Sequence, residues 1–336
     1  MKVMALQCPG VLELETVDRP DPDDVNTVVR VTHSGICGTD LGIYRGTIPV
    51  NYPRVMGHEM IGVIVESGED GLTAGSRVVV DPAYYCGTCY QCQTGQINIC
   101  PNGGLIGRDR DGGFAEYISV PARNVITLPQ EIDDREASFL QVLTTCIHAQ
   151  ELAPVNPGEA IIVIGLGVTG QIHAQLAKES GAGTVIGITR SAWKRELARD
   201  LGTDTVLEAG DNLKRRVLDV TDGRGADMVI ESAGRVSTFA QSIDLARIGG
   251  RILNFGTMTE TEGKLPFYDL YYKELLLINA RASKGIHYLP SAELVTKGSV
   301  KLAPLISHEF PLDELGKALE ILELPGGDSL KVILRH

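Results

Sequence analysis

Up to about Glu151 the apolar positions come in short runs that alternate with polar ones, such as Val28 to Thr32, Gly62 to Glu66 and Arg77 to Asp81, separated by Pro, Gly and Asp. Their β-branched character predicts strands, and the punctuation predicts tight turns between them. The first part of the chain is therefore expected to be an all-β lobe. From Gly158 the pattern changes. Apolar runs at Ala160 to Ile164, Thr184 to Ile188, Met228 to Glu231, Arg251 to Phe255 and Leu275 to Asn279 alternate with helical stretches, including Gly170 to Ser180 and Ala192 to Leu201. Strand and helix in alternation predict βαβ units around a parallel sheet. After Arg281 the pattern predicts a helix around Pro290 to Thr296, a strand at Ile306 to Phe310, a helix from Leu312 to Leu322 and a closing strand from Ser329 to Leu334. This tail is expected to rejoin the first lobe. No internal repeat or low-complexity segment interrupts the order.

A chain of 336 residues exceeds what one core normally serves, so two domains are expected. Its 43% hydrophobic and 22% charged residues suit a soluble α/β protein, and 38 glycines point to tight turns and close backbone approaches. The formal charge of -12 repels nucleic acid and anionic lipid, so neither is an expected partner. Met1 to Thr16 lacks the basic start and unbroken apolar run of a signal peptide, and no stretch reaches transmembrane length. A cytoplasmic location is expected. In that reducing setting the seven cysteines read as metal ligands before disulfides.

Cys86, Cys89, Cys92 and Cys100 give the spacing C-x2-C-x2-C-x7-C, which lets four sulfurs from one loop converge on a tetrahedral zinc. Four thiolates leave no open coordination position, so this zinc is expected to pin a loop and do no chemistry. Cys37, in Gly35-Ile-Cys-Gly-Thr-Asp40, and His58-Glu59, in Gly57-His-Glu-Met60, offer a thiolate, an imidazole and a carboxylate beside glycines. Taken singly, a Cys or a His also reads as a packed structural residue.

Together with Gly112-Gly-Phe-Ala-Glu-Tyr117 and a later glycine run, these motifs occur in the order found in zinc-containing medium-chain dehydrogenases, which the chain resembles over nearly its whole length. The resemblance is nearest to the sorbitol-like polyol and threonine dehydrogenase branches, which pair Gly-His-Glu with Cys-Gly-Ser/Thr-Asp. It implies a second, catalytic zinc held by Cys37, His58 and Glu59, with Thr39 taking the proton of the substrate hydroxyl; the alternative for Thr39 is a turn-forming role. Gln141 stands where many relatives carry a further acidic or cysteine ligand. A neutral amide is a poor zinc ligand, so Glu59 is expected to coordinate directly, water or substrate to fill the fourth position, and Gln141 to hydrogen-bond one of them. Cys146 is the rival ligand, with plain packing as its default. Many relatives relay the proton through a histidine where this chain has Gly42, which leaves the exit route unassigned. Two anionic ligands and a neutral imidazole give this zinc a formal charge of zero, more electrophilic than the four-thiolate site.

The strand-like run Ala160 to Ile164 leads directly into Gly165-Leu-Gly-Val-Thr-Gly170 and a helical stretch, the context of a dinucleotide fingerprint. Gly165 permits the turn, Gly167 lets a pyrophosphate approach the backbone, and Gly170 lets helix and strand pack, with Val168 and Thr169 at the helix start where phosphate binds. The second strand ends in Thr189-Arg190-Ser191, where NAD preference requires Asp or Glu. Thr189 and Ser191 can donate to a 2′-phosphate and Arg190 and Lys194 can neutralise it, so NADP(H) is expected over NAD(H). Arg190 also reads as an adenine-stacking residue of NAD-using relatives, and Lys194 as a solvated helix start. The resemblance further implies Thr145 beneath the nicotinamide, and Glu231 to Gly234, Phe255-Gly256 and Asn279 to Arg281 as loops that close over the cofactor. Tyr44, Glu116, Gln141 and Lys284 are polar candidates for the substrate pocket.

The expected architecture is α/β: a GroES-like β-rich catalytic lobe from residue 1 to about 142, an inserted Rossmann domain with a doubly wound parallel sheet from about 143 to 284, and a return to the first lobe over 285–336. The resemblance implies a cleft between the lobes for both reactants. The expected activity is hydride transfer between a small secondary alcohol or polyol and NAD(P), with about two zincs per chain. A threonine-type amino alcohol dehydrogenase is the rival within the class. A non-catalytic nucleotide-binding protein is the rival outside it, and predicts degraded residues at positions 37, 58 and 59. Relatives assemble as dimers or tetramers, commonly along Rossmann sheet edges, and the apolar Leu275 to Ile278 run is compatible with a homodimer or homotetramer.

Overall fold

The structure, a computed structural model, describes every residue of the chain except 22, 24, 325 and 326. It divides into two compact units: Met1–Thr144 with Ala282–Thr296 and Leu302–His336, and Thr145–Arg281 with Lys297–Lys301. Among the described residues no helix is long and apolar enough to cross a membrane.

The first unit is built mainly on antiparallel strands. Lys2–Cys8 pairs with Val11–Thr16 and with Arg54–Val55. A larger sheet runs in the order Val125–Thr127, Arg77–Val80, Glu59–Ser67, Asn26–Gly35, Lys331–Arg335 and Ile306–Pro311, with Tyr117–Pro121 also on Asn26–Gly35. The β-branched runs do form strands: Val29 and Val31, Val78 and Val80, and Ile118 and Val120 share one core cluster with Met60 and Ile64, and the intervening Val79 is buried as well. Gly35 lies opposite Glu59 on one neighbouring strand and Ile333 on the other. A Cβ at Gly35 would collide with the Glu59 carboxylate and the Lys331 stem, so glycine here makes room for a charge pair inside the sheet.

Two helices matter for the candidate site. Gly38–Tyr44, labelled α1, follows the strand Asn26–Gly35, and Leu140–Leu152, labelled α2, corrects the expectation that the all-β lobe reaches Glu151. Phe139, Leu140, Leu143, Thr144, Cys146 and Ala149 are all fully buried, so apolar positions run round α2 instead of striping one face. Val142, Thr144 and Thr145 add β-branched character. Together these features hide the helical period.

In the second unit the strands are β1 (Ala160–Ile164), β2 (Thr184–Thr189), β3 (Thr205–Glu208), β4 (Ala226–Glu231), β5 (Ala246–Asn254) and β6 (Leu276–Asn279). They form one parallel sheet in the order β3-β2-β1-β4-β5-β6. After β1 to β5 come α3 (Val168–Glu179), α4 (Ala192–Asp200), α5 (Leu213–Val220), α6 (Val236–Leu245) and α7 (Phe267–Tyr272) respectively. Ile161, Val163, Met228 and Ile230 pack on one face of the sheet, and Ile162, Ile164, Ile186, Ile188 and Val229 on the other. Burial on both faces is why these strands read as unbroken apolar runs. The sequence pattern does not show β3 and α5: only Val206 and Leu207 of β3 are buried, too few to register a period. The strand order reverses between β1 and β4, and open parallel sheets bind ligands at the carboxyl ends of strands at such a point.

Candidate functional site

Cys37 is the N-cap of α1, and its backbone N–H donates to Asp40 Oδ2 at 2.8 Å. Asp40 is fully buried; its Oδ1 accepts from the Gly57 N–H at 3.3 Å and lies 3.4 Å from His58 Nδ1. One carboxylate thus ties the turn carrying Cys37 to the turn carrying His58. Glu59 opens the next strand, and donor atoms of Cys37, His58 and Glu59 all lie within 4.8 Å of one another. Glu59 Oε2 accepts from the buried Lys331 ammonium, which also donates to the Ile36 carbonyl at 3.0 Å. Glu59 Oε1 is buried with no hydrogen-bond partner.

The electrostatics point the same way. Burial opposes protonation of His58, but the negative charges of Asp40 and Cys37 outweigh it and raise its pKa well above the usual value. With His58 neutral, as a zinc-ligating imidazole must be, a thiolate and two carboxylates face one ammonium, leaving a formal surplus of two negative charges. A divalent cation held by Cys37, His58 and Glu59 neutralises that surplus and supplies Glu59 Oε1 with a partner, so the donor set fits zinc.

Thr39 Oγ1 lies 3.8 Å from Cys37 Sγ. Gln141 sits in the first turn of α2, where its carbonyl accepts from the Thr144 hydroxyl at 2.6 Å; the preceding Phe139 ring lies 5.6 Å from Lys331 Nζ. Cys146 is fully buried, burial pushes its thiol pKa up, and its sulfur lies 3.9 Å from the Thr169 carbonyl, as packing requires. Position 42 is filled from outside: a Cβ on Gly42 would meet Ile48 Cδ1 at 2.7 Å. Sequence reasoning does not single out Asp40 or Lys331. Asp40 is visible in principle, three residues after Cys37 within the same motif, whereas Lys331 carries no local signal.

In the other cysteine group Sγ separations are 3.6 Å for Cys86–Cys100, 3.7 Å for Cys89–Cys100 and 3.9 Å for Cys86–Cys92. Four sulfurs at ~2.3 Å from a tetrahedral zinc stand about 3.8 Å apart, so this loop already has the dimensions of a zinc site. The Thr88 backbone N–H and hydroxyl draw the Cys86 thiol down to about 5, while desolvation pushes Cys92 up to about 12.

Gly165, with φ +91°, turns the chain out of β1, and its N–H donates to the Ile188 carbonyl at 2.9 Å. A Cβ on Gly170 would collide with the Gly165 carbonyl, which explains the tight strand–helix packing. Gly167, the N-cap of α3, has open space where a Cβ would stand, and that space lets a phosphate reach the backbone N–H groups of the helix start. Val168 begins α3, and Thr169 Oγ1 lies 2.7 Å from Ser232 Oγ after β4. Gly256 donates to the Glu231 carbonyl at 2.8 Å and has no room for a side chain against Gly234. Thr189 and Arg190 line a cavity of about 510 Å³ with Gly165. Lys194 is not among its lining residues; its ammonium lies 5.1 Å from the Trp193 ring centroid, and desolvation lowers its pKa. Thr145 lies in α2, and Arg281 follows β6.

Residues 22–130 match the Alcohol dehydrogenase GroES-like domain family, and residues 168–293 match the Zinc-binding dehydrogenase family. A sorbitol dehydrogenase of Halalkalibacterium halodurans is 32% identical over 97% of this chain and 96% of its own. An L-threonine 3-dehydrogenase of Pyrococcus abyssi is 31% identical over 96% of this chain and 94% of its own. The solved structure of a zinc-binding dehydrogenase from Sinorhizobium meliloti 1021, bound to NADP, superposes with a TM-score of 0.93 at 33% identity, covering 100% of this chain and 99% of that one. A GroES-like β unit, a parallel Rossmann sheet and two zinc-type donor sets define a class, and the chain belongs to the zinc-containing medium-chain alcohol dehydrogenases. It is a zinc-dependent, NAD(P)-dependent dehydrogenase.

Proposed function

We propose that the chain interconverts a small secondary alcohol or polyol and its carbonyl form at Cys37, His58 and Glu59, using NADP(H) in preference to NAD(H). The observation that carries this reading is Glu59 Oε1, buried beside Cys37 and His58 without a partner. A buried carboxylate oxygen left unpaired is costly, and a bound cation removes that cost. Zinc held by these three residues would polarise the substrate oxygen and lower its hydroxyl pKa toward neutrality. The side chains around it do the rest. Asp40 orients the His58 ring, as carboxylates commonly do for metal-ligating histidines. Lys331 occupies Glu59 Oε2 and so directs Oε1 to the donor cluster. The Thr39 hydroxyl accepts a hydrogen bond from the substrate hydroxyl and can take its proton only while giving up its own, and the Gln141 amide hydrogen-bonds the substrate oxygen.

The likeness to the sorbitol dehydrogenase supports the polyol reading. The NADP(H) reading is supported by Thr189 and Arg190, which line the cavity where an NAD enzyme presents a carboxylate. The seven cysteines are not joined in disulfides, and metal-ligating thiolates suit a reducing, cytoplasmic setting. Turnover of polyols, simple secondary alcohols and threonine with each cofactor, together with elemental analysis, tests the reading. About two zincs per chain and NADP-linked polyol turnover are expected. Turnover of threonine alone overturns the substrate class, and faster reaction with NAD overturns the cofactor.

We further infer self-association along β6. This edge strand exposes Leu276 and Leu277, and the preceding α7 exposes Phe267, Tyr268, Tyr271 and Tyr272. An apolar unpaired edge invites aggregation unless covered, and a second copy related by a twofold axis covers both edges at once. Leu277→Lys is expected to shift the sedimenting species from dimer or tetramer to a smaller one; unchanged sedimentation rejects this edge.

A further inference from the structure

The cavity at the end of β2 has a second wall. Besides Thr189 and Arg190, which follow β2, it is lined by Arg235 and Ser237, at the start of α6 beyond β4. The loop that carries Arg235 is pinned from below. Glu231, fully buried, accepts from the backbone N–H groups of Ala233 at 2.9 Å and Gly234 at 3.0 Å, and from the Thr238 hydroxyl at 2.7 Å. Its charge is thereby consumed by the loop. On neighbouring elements Glu208, across from Thr189 on β3, lies 3.4 Å from Arg195, and Glu260 accepts from the Val236 N–H at 2.7 Å; Asp211, two residues beyond the lining Ala209, is not itself among the lining residues. No carboxylate lines the cavity, and among the described residues neither Arg190 nor Arg235 has an ion-pair partner. Two arginines therefore line one cavity whose lining contains no carboxylate.

We infer that Arg235 is the second clamp on the 2′-phosphate of NADP(H), acting together with Thr189 and Arg190. This rests on the NADP(H) reading above and assigns to Arg235 the part that sequence pattern gives to Lys194. The chemistry suits a phosphate dianion. Guanidinium forks bind phosphate oxygens in pairs, and charge-assisted hydrogen bonds of this kind are the strong ones. Thr189 Oγ1 accepts from the Ser191 N–H at 3.4 Å, which leaves its own hydrogen free to donate to the phosphate. The Ser237 hydroxyl lies on the Arg235 side.

Calorimetric titration of the intact protein with NADPH, NADH, adenosine 2′,5′-bisphosphate and 5′-AMP tests the assignment. Arg235→Ala is expected to weaken NADPH and the bisphosphate by about tenfold to a hundredfold, and NADH and 5′-AMP by no more than about twofold. Arg235→Lys should recover part of the loss, since it returns the charge without the fork. Arg235 is exposed, so neither substitution disturbs the core. If wild-type protein binds NADPH more tightly than NADH but Arg235→Ala weakens both equally, or neither, the assignment of Arg235 fails and the cofactor preference stands. If wild-type protein binds NADH at least as tightly as NADPH, the preference itself fails and this clamp falls with it.

Discussion

Alanine at both Cys37 and His58 is expected to lower kcat/KM by at least about a thousandfold, equivalent to about 4 kcal/mol of barrier, while leaving cofactor affinity within about twofold. The two substitutions remove a thiolate and an imidazole from a set of three donors whose atoms lie within 4.8 Å of one another. With only Glu59 left, zinc has no adequate cage, and one of about two zincs per chain is expected to disappear on elemental analysis. The Rossmann unit, Thr145–Arg281 with Lys297–Lys301, contains neither residue, which is why nucleotide affinity should survive. Steady-state kinetics, calorimetric titration and metal analysis on one preparation check all three parts. Full redox activity in the double variant overturns the assignment.

Cys100→Ser is expected to have the complementary effect, on stability and not on chemistry. Cys100 is buried, and its sulfur stands 3.6 Å from that of Cys86 and 3.7 Å from that of Cys89. Removing it breaks a four-sulfur set in which zinc binding and loop folding are one equilibrium. The zinc count should again fall from about two to about one, and the thermal midpoint should drop by about 5 °C or more. Turnover at low temperature should stay within a few fold, because a four-thiolate zinc offers no open position to a substrate. Scanning calorimetry beside the same kinetic assay separates the two zincs. A midpoint unchanged with two zincs retained rejects a structural role for this loop.

What the sequence discloses follows from how locally each feature is encoded. The four cysteines and the run Gly165 to Gly170 are legible because their geometry is carried by a few consecutive residues, so spacing alone states it. The β1, β2 and β4 strands are legible because burial on both faces demands unbroken apolar runs. Elements with the opposite character escape. α2 is packed on nearly all sides, so its period vanishes, and β3 is too short to have one. The same holds for site residues. Lys331 meets Glu59 across 272 positions of sequence, and Arg235 reaches the cavity from the far side of the sheet's switch point. Nothing in their own neighbourhoods marks either one. Lys194, near β2 in sequence, is drawn instead toward Trp193.

The order in which the sheet of the first unit acquires its strands bears on how the protein is made. As the polypeptide leaves the ribosome, Asn26–Gly35 can pair early with Glu59–Ser67 and Tyr117–Pro121, but its remaining neighbour, Lys331–Arg335, is translated only after Thr145–Arg281. Until then Glu59 has no ammonium beside it, and a carboxylate left alone in that position resists burial. The nucleotide-binding half is free to fold first, as domains generally do during elongation. The Glu59–Lys331 pair that completes the surroundings of the metal donors can therefore form only after residue 331 has been made.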